Sequence, residues 1–186
     1  MLFRSRQPIE RKPIDLAPVV TEAARLLRAT LPARLSLEVS CDPVPPVLAD
    51  AGQIAQILIN LGTNALQAVR NGPGRIDMRL DTVPLDAITS PDWALEALRA
   101  RQPGRAVRII VSDSGQGMDA VTKERLFEPF FTTKPVGEGT GLGLSVVHGI
   151  VQGHEGVITV DSEPGKGATF IVYLPDRKST RLNSSH

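Results

Sequence analysis

Gly137 to Ile150 read GEGTGLGLSVVHGI, with glycine at every second position up to Gly143 and an apolar segment of helical character behind them. Glycine loses more conformational freedom on folding than any other residue, so such a run marks backbone that approaches something closely or adopts positive φ. Bare amides ahead of a helix N-terminus form an anion site, and phosphate is the simplest candidate. The spacing GxxxxGK[ST] is absent, which excludes a P-loop. A dinucleotide fingerprint needs a strand directly before it, and here Phe130, Phe131, Thr132, Thr133 and Lys134 precede.

Outward from this run, the pattern is mixed. DPVPPVLAD leads into the longest helical stripe, with Asp50 and Gln53 as a capping pair and Ile54, Ile57, Leu58, Leu61, Ala65, Leu66 and Val69 on the buried face. PIDLAPVVTEAARLLRAT reads as an amphipathic helix capped by Asp15, with Val19, Val20, Ala23, Leu26 and Leu27 inward. RLSLEVS and GRIDMRLDTV alternate with the period of half-buried strands, and RAVRIIVSDSG is apolar enough for the middle of a sheet. Pro84 to Gly104 is a proline-bounded excursion with a short helix at PDWALEALRA, and DAVTKERLF is another short helix. ITVDSEPGKGATFIVYLP closes the chain's periodic part as a hairpin turning at Pro164 to Gly167. These elements predict a two-layer α/β sandwich, a mixed sheet covered on one face by helices.

Composition excludes several classes. The 186 residues suit one compact domain, and a net charge of +1 without a polybasic block gives no field for nucleic acid or anionic lipid. No apolar run reaches the roughly 20 residues of a spanning helix. Cys41 stands alone, which excludes an internal disulfide and a cysteine-built metal site and agrees with a reducing compartment.

Asn60 and Asn64 lie one turn apart on the long helix. Their amides either satisfy each other and nearby loops or turn oxygen toward a hard cation such as Mg²⁺. Asp113 ends the buried strand in DSGQGM, either as a turn residue or as an acceptor for a ligand amino group, with Gly115 and Gly117 letting a flat ring approach. Lys134 is either a solvated lysine or a point charge reaching polyphosphate.

Taken in order, NLGTNALQA, DSGQGM, FEPFFTTK and GEGTGLGLSVVHGIV resemble the N, G1, F and G2 boxes of the ATP-binding catalytic domain of two-component sensor histidine kinases, most like the nitrogen-regulation type. The resemblance spans roughly residues 11–175 and implies the Bergerat fold. It also implies a linker over 1–10 leaving a dimerisation hairpin, and 176–186 reads as a tail foreign to the fold. It implies that Asn64 coordinates Mg²⁺ on the ATP phosphates with Asn60 beside it, and that Asp113 reads the adenine amino group. Gly115 and Gly117 would face the ring. Gly139, Thr140, Gly141, Leu142 and Gly143 would belong to the phosphate-holding end of a mobile lid running from Phe130 to Thr140, with Lys134 as its cation. Asn60 and Lys134 would serve the transfer itself.

Departures from the family pattern are local. Gln67 stands where a basic residue is frequent, HEG at residues 154–156 replaces His-Gly-Gly, and Ala168 takes a threonine's place and leaves Thr169 to contact the nucleotide. The phosphoacceptor histidine motif is absent, and His148, His154 and His186 read as structural or incidental. The expected partners are therefore ATP and a phosphoacceptor domain of a homodimeric parent kinase in the cytoplasm, with a response regulator downstream and neither nucleic acid nor membrane contacted by this domain. Hydrolytic relatives carry glutamate at the position of Asn60, and an amide cannot take a proton from water. That argues against an ATPase, FEPFFTTK argues against an anti-sigma-type serine kinase, and the intact boxes argue against a passive nucleotide-binding module.

Overall fold

The computed structural model describes residues 9–69, 71–90, 92–137 and 141–176. The expected linker 1–10 and tail 176–186 fall outside these residues, apart from Ile9, Glu10 and Asp176. In chain order the elements are β1 (Lys12–Ile14), α1 (Leu16–Arg28), β2 (Leu35–Cys41), β3 (Val47–Ala49), α2 (Ala51–Ala68), β4 (Gly74–Pro84), α3 (Trp93–Arg101), β5 (Arg105–Asp113), α4 (Ala120–Arg125), α5 (Gly143–Gly153), β6 (Val157–Ser162) and β7 (Ala168–Pro175).

Local chemistry sets the helix starts. The Asp50 carboxylate accepts from the N–H groups of Gly52 (3.0 Å) and Gln53 (3.3 Å), a cap worth about 1 kcal/mol. Asp15, Asp92 and Asp119 cap α1, α3 and α4 in the same way. The α2 stripe Ile54, Ile57, Leu58, Leu61 and Ala65 is buried as its period requires. In α1 the buried set is Leu16, Val20, Ala23, Ala24 and Leu27, and the expected Leu26 is 48% exposed. A helical repeat running through residues 16, 20, 23 and 27 carries position 26 round to the outside.

Five strands form the main sheet in the order β2-β4-β5-β7-β6, with β2 parallel to β4 and the remaining pairs antiparallel. Ile76, Met78 and Leu80 of β4, Val107, Ile109 and Val111 of β5, and Phe170, Val172 and Leu174 of β7 project onto α1, α2 and α5 as one core. The sandwich expected from the sequence is therefore present. Helix α3 adds a second, smaller cluster on the opposite face, where Leu95 and Leu98 meet Leu85, Ala106, Val157 and Tyr173. That face also carries a charged pair, Arg108 donating twice to the buried Asp81 at 2.8 and 2.7 Å. A ribbon of β1 antiparallel to β3, unexpected from sequence, lies outside the main sheet.

Candidate functional site

A cavity of about 370 Å³ opens where the C-terminal half of α2, the end of β5, the start of α5 and the first residues of β7 meet. Pockets of roughly 300–1,000 Å³ suit small-molecule ligands. Asn64 and Gln67 come from α2, Asp113 and Gly117 from the end of β5 and its loop, Lys134 from the segment before α5, and Gly141 and Gly143 from the approach to that helix.

Asp113 stands half-buried where the central strand ends. Burial holds its carboxyl above the usual range, and the N–H groups of Gly115 (2.8 Å) and Ala168 only partly offset this. The loop that follows is pinned by the hairpin turn: Gly165 N–H donates to Gln116 C=O at 2.7 Å and Met118 N–H to Ser162 Oγ at 2.9 Å. Gly117 sits at φ +69°, and a Cβ there would lie 1.9 Å from the Glu163 carbonyl oxygen. Its freedom serves this packing as well as the cavity wall.

The other end of the cavity is built by α5. Gly141 takes φ +67° with a Cβ position 2.4 Å from the Phe130 carbonyl carbon, and Phe130 N–H donates to Gly141 C=O at 3.0 Å. This contact joins the end of the FEPFF segment to the approach to α5. Unlike the four aspartate-capped helices, α5 follows Leu142, an N-cap residue whose own side chain makes no cap hydrogen bond. The Lys134 ammonium donates to Gln67 Oε1 across the cavity wall.

Several residues expected at the site do not line this cavity. Asn60 is not on the wall; its amide donates to Gly143 C=O at 3.2 Å and ties α2 to the start of α5. Gly115 also lies off the wall, because a Cβ there would meet the Ala68 carbonyl oxygen at 2.5 Å and the loop packs against the end of α2 instead. Leu142 precedes the helix without lining the cavity. Thr169 faces the opposite side of the sheet, its hydroxyl 3.0 Å from that of Ser112, while its neighbours Ala168 and Phe170 line the cavity. Strand alternation requires this: the position next to an inward residue points outward. Gly139 and Thr140 lie outside the described residues.

Sequence reasoning passed over the apolar floor of Met118, Leu126, Phe131, Leu144 and Phe170. The phenylalanines of FEPFF carried the only signal, and they read more readily as core than as a cofactor site. Arg125 holds Phe131 from outside, its guanidinium 4.6 Å from the ring centroid. His148 stacks on Phe127 at 5.1 Å between ring centroids, and His154 is buried, so both are structural; His186 lies outside the described residues. Among the described residues no group of three or more His, Cys, Asp or Glu side chains converges as a metal site. No helix among them is long and apolar enough to cross a membrane.

A family model described as histidine kinase-, DNA gyrase B- and HSP90-like ATPase matches residues 49–178. The chain belongs to that family. It is 39% identical over 176 residues to sensor kinase CckA of Brucella abortus (strain 2308), covering 94% of this chain and 18% of that protein. It is 30% identical over 186 residues to the sensory histidine kinase/phosphatase NtrB of Rhizobium leguminosarum bv. phaseoli, covering 99% of this chain and 46% of that one. The chain thus spans less than half the length of these relatives. The catalytic domain of histidine kinase ThkA in a nucleotide-free form superposes with a TM-score of 0.68 at 29% identity, covering 89% of this chain and 95% of that domain. Full-length ShkA in complex with AMPPNP gives 0.68 at 25% identity, covering 90% of this chain and 31% of that one.

Proposed function

We propose that this domain binds ATP with Mg²⁺ and passes the γ-phosphoryl group to a histidine supplied by a separate dimerisation domain. The observation that carries this reading is that Asp113 and Asn64 line one cavity together with Gly143 at the start of α5. Asp113 would accept the adenine amino group, the α5 amides would hold phosphate oxygens, and Lys134 would add a point charge. The donor set suits a nucleotide-borne metal: Asn64 lines the wall and would supply one amide oxygen, leaving other positions to phosphate and water. When bound, Mg²⁺ supplies charge neutralisation between phosphate oxygens.

Asn60 favours transfer to protein over hydrolysis. Its amide nitrogen donates to Gly143, and it has no basic atom with which to activate water. Catalysis would rest on positioning and electrostatics, with no covalent intermediate in this domain. CckA and NtrB are sensor kinases by description, which supports a phosphoacceptor domain as partner; a homodimeric parent, a response regulator downstream and a cytoplasmic setting belong to the same proposal. The test is incubation with γ-labelled ATP and a separately made dimerisation hairpin. Label on the hairpin histidine is the expected outcome; free phosphate without labelled protein would assign an ATPase, and ATP bound but unchanged would assign a passive module.

A further inference from the structure

Gln67 and Lys134 belong to distant segments, α2 and the stretch before α5, yet both line the cavity and the ammonium donates to the amide oxygen. Gln67 is largely exposed, so water would solvate either group without the other, and a hydrogen bond at such a place adds little to folding. What the contact determines is where a positive charge stands. Gln67 sits one turn beyond Asn64 on α2, so the lysine is drawn toward the wall that carries Asn64. The Lys134 backbone is steadied as well, its N–H donating to the Thr132 hydroxyl at 3.1 Å.

The choice of acceptor matters. A carboxylate at position 67 would cancel the ammonium and add negative charge to the wall, and a second ammonium would repel the first. An amide oxygen orients the charge and leaves it intact. A lysine side chain carries about 2 kcal/mol of rotamer entropy, and fixing it before a ligand arrives removes part of that cost from binding.

We infer that Gln67 is a positioning residue: its amide oxygen holds Lys134 beside Asn64, so that affinity for di- and triphosphates, and not for the nucleoside, depends on the pair. The inference rests on the nucleotide reading given above and assigns Gln67 a role exercised through the lysine.

Titration calorimetry with adenosine, ADP and ATP, each with Mg²⁺, on the full chain and on Gln67→Met, Lys134→Met and the double variant tests it. Adenosine affinity should be unchanged in all four proteins. ATP should weaken about fivefold in Gln67→Met, the size of one solvent-exposed hydrogen bond. It should weaken about twentyfold in Lys134→Met, where a charge-assisted contact is lost. The double variant should match Lys134→Met alone, because the amide has nothing left to orient. Gln67→Glu should weaken ATP more than Gln67→Met does. Effects that multiply in the double variant, or a Gln67→Met loss that is equal for adenosine and ATP, would overturn the inference. Wild-type protein that binds no adenosine, or Asp113→Asn protein that binds it normally, would overturn the nucleotide reading and the inference with it.

Discussion

At Asp113, burial and function pull in opposite directions. Its carboxyl lies above the usual range because desolvation outweighs the two amides that face it. Between the ordinary carboxylate value and the raised one, the native state keeps a proton that the unfolded chain has released. Stability therefore falls as pH rises across that window and is level above it. A ligand amino group stabilises the ionised form, so adenosine binding should strengthen across the same window, with a proton released. Calorimetry at stepped pH from mildly acid to neutral checks both slopes, and Asp113→Asn should abolish the binding slope. Gly117 gives a second test at this scale. Its positive φ and the 1.9 Å approach of the Glu163 oxygen leave no room for a methyl group, so Gly117→Ala should cost about 2–4 kcal/mol in urea unfolding. Single residues were the least legible part of the sequence. Ala168 and Thr169 are adjacent, and only the register of β7 decides which of them faces the cavity.

Helices α2 and α5 act as a pair, joined at both ends of α5. At one end Asn60 donates to Gly143 C=O; at the other, His154 Nε2 accepts from Asp50 N–H at 3.1 Å while its Nδ1–H donates to Ile150 C=O at 2.8 Å. The buried imidazole thus needs its proton on Nδ1 to serve both partners. His154→Ala leaves both without it and opens space, and should lower stability by about 2–3 kcal/mol in denaturant unfolding. Asn60→Asp replaces the donor with an acceptor facing the same carbonyl. It should weaken ATP about tenfold or more and leave adenosine within twofold, as calorimetry would read, because only the phosphate end is disturbed. Elements of this length were legible from their periods. The β1 and β3 ribbon was not, since three-residue strands lie below the length at which alternation registers and Pro13, Pro45 and Pro46 read as breakers. The cap at Asp50 was visible because its chemistry is local, whereas the Asn60 contact spans residues 60 to 143 and depends on how two helices cross.

For the whole molecule, the sheet and its helices bring four separated sequence boxes to one cavity, and the second cluster under α3 braces the far face of the sheet without reaching that cavity. The central claim is that Asp113 serves the base and Asn64 the phosphate and metal of a single nucleotide. Parallel titrations of ATP·Mg²⁺ and adenosine into wild-type, Asp113→Asn and Asn64→Ala protein test it most directly. The expected result is loss of both ligands by at least about tenfold, or 1.4 kcal/mol, in Asp113→Asn, and loss of ATP·Mg²⁺ alone in Asn64→Ala. Wild-type affinities in both variants, or an Asn64→Ala loss that falls equally on adenosine, would contradict the account.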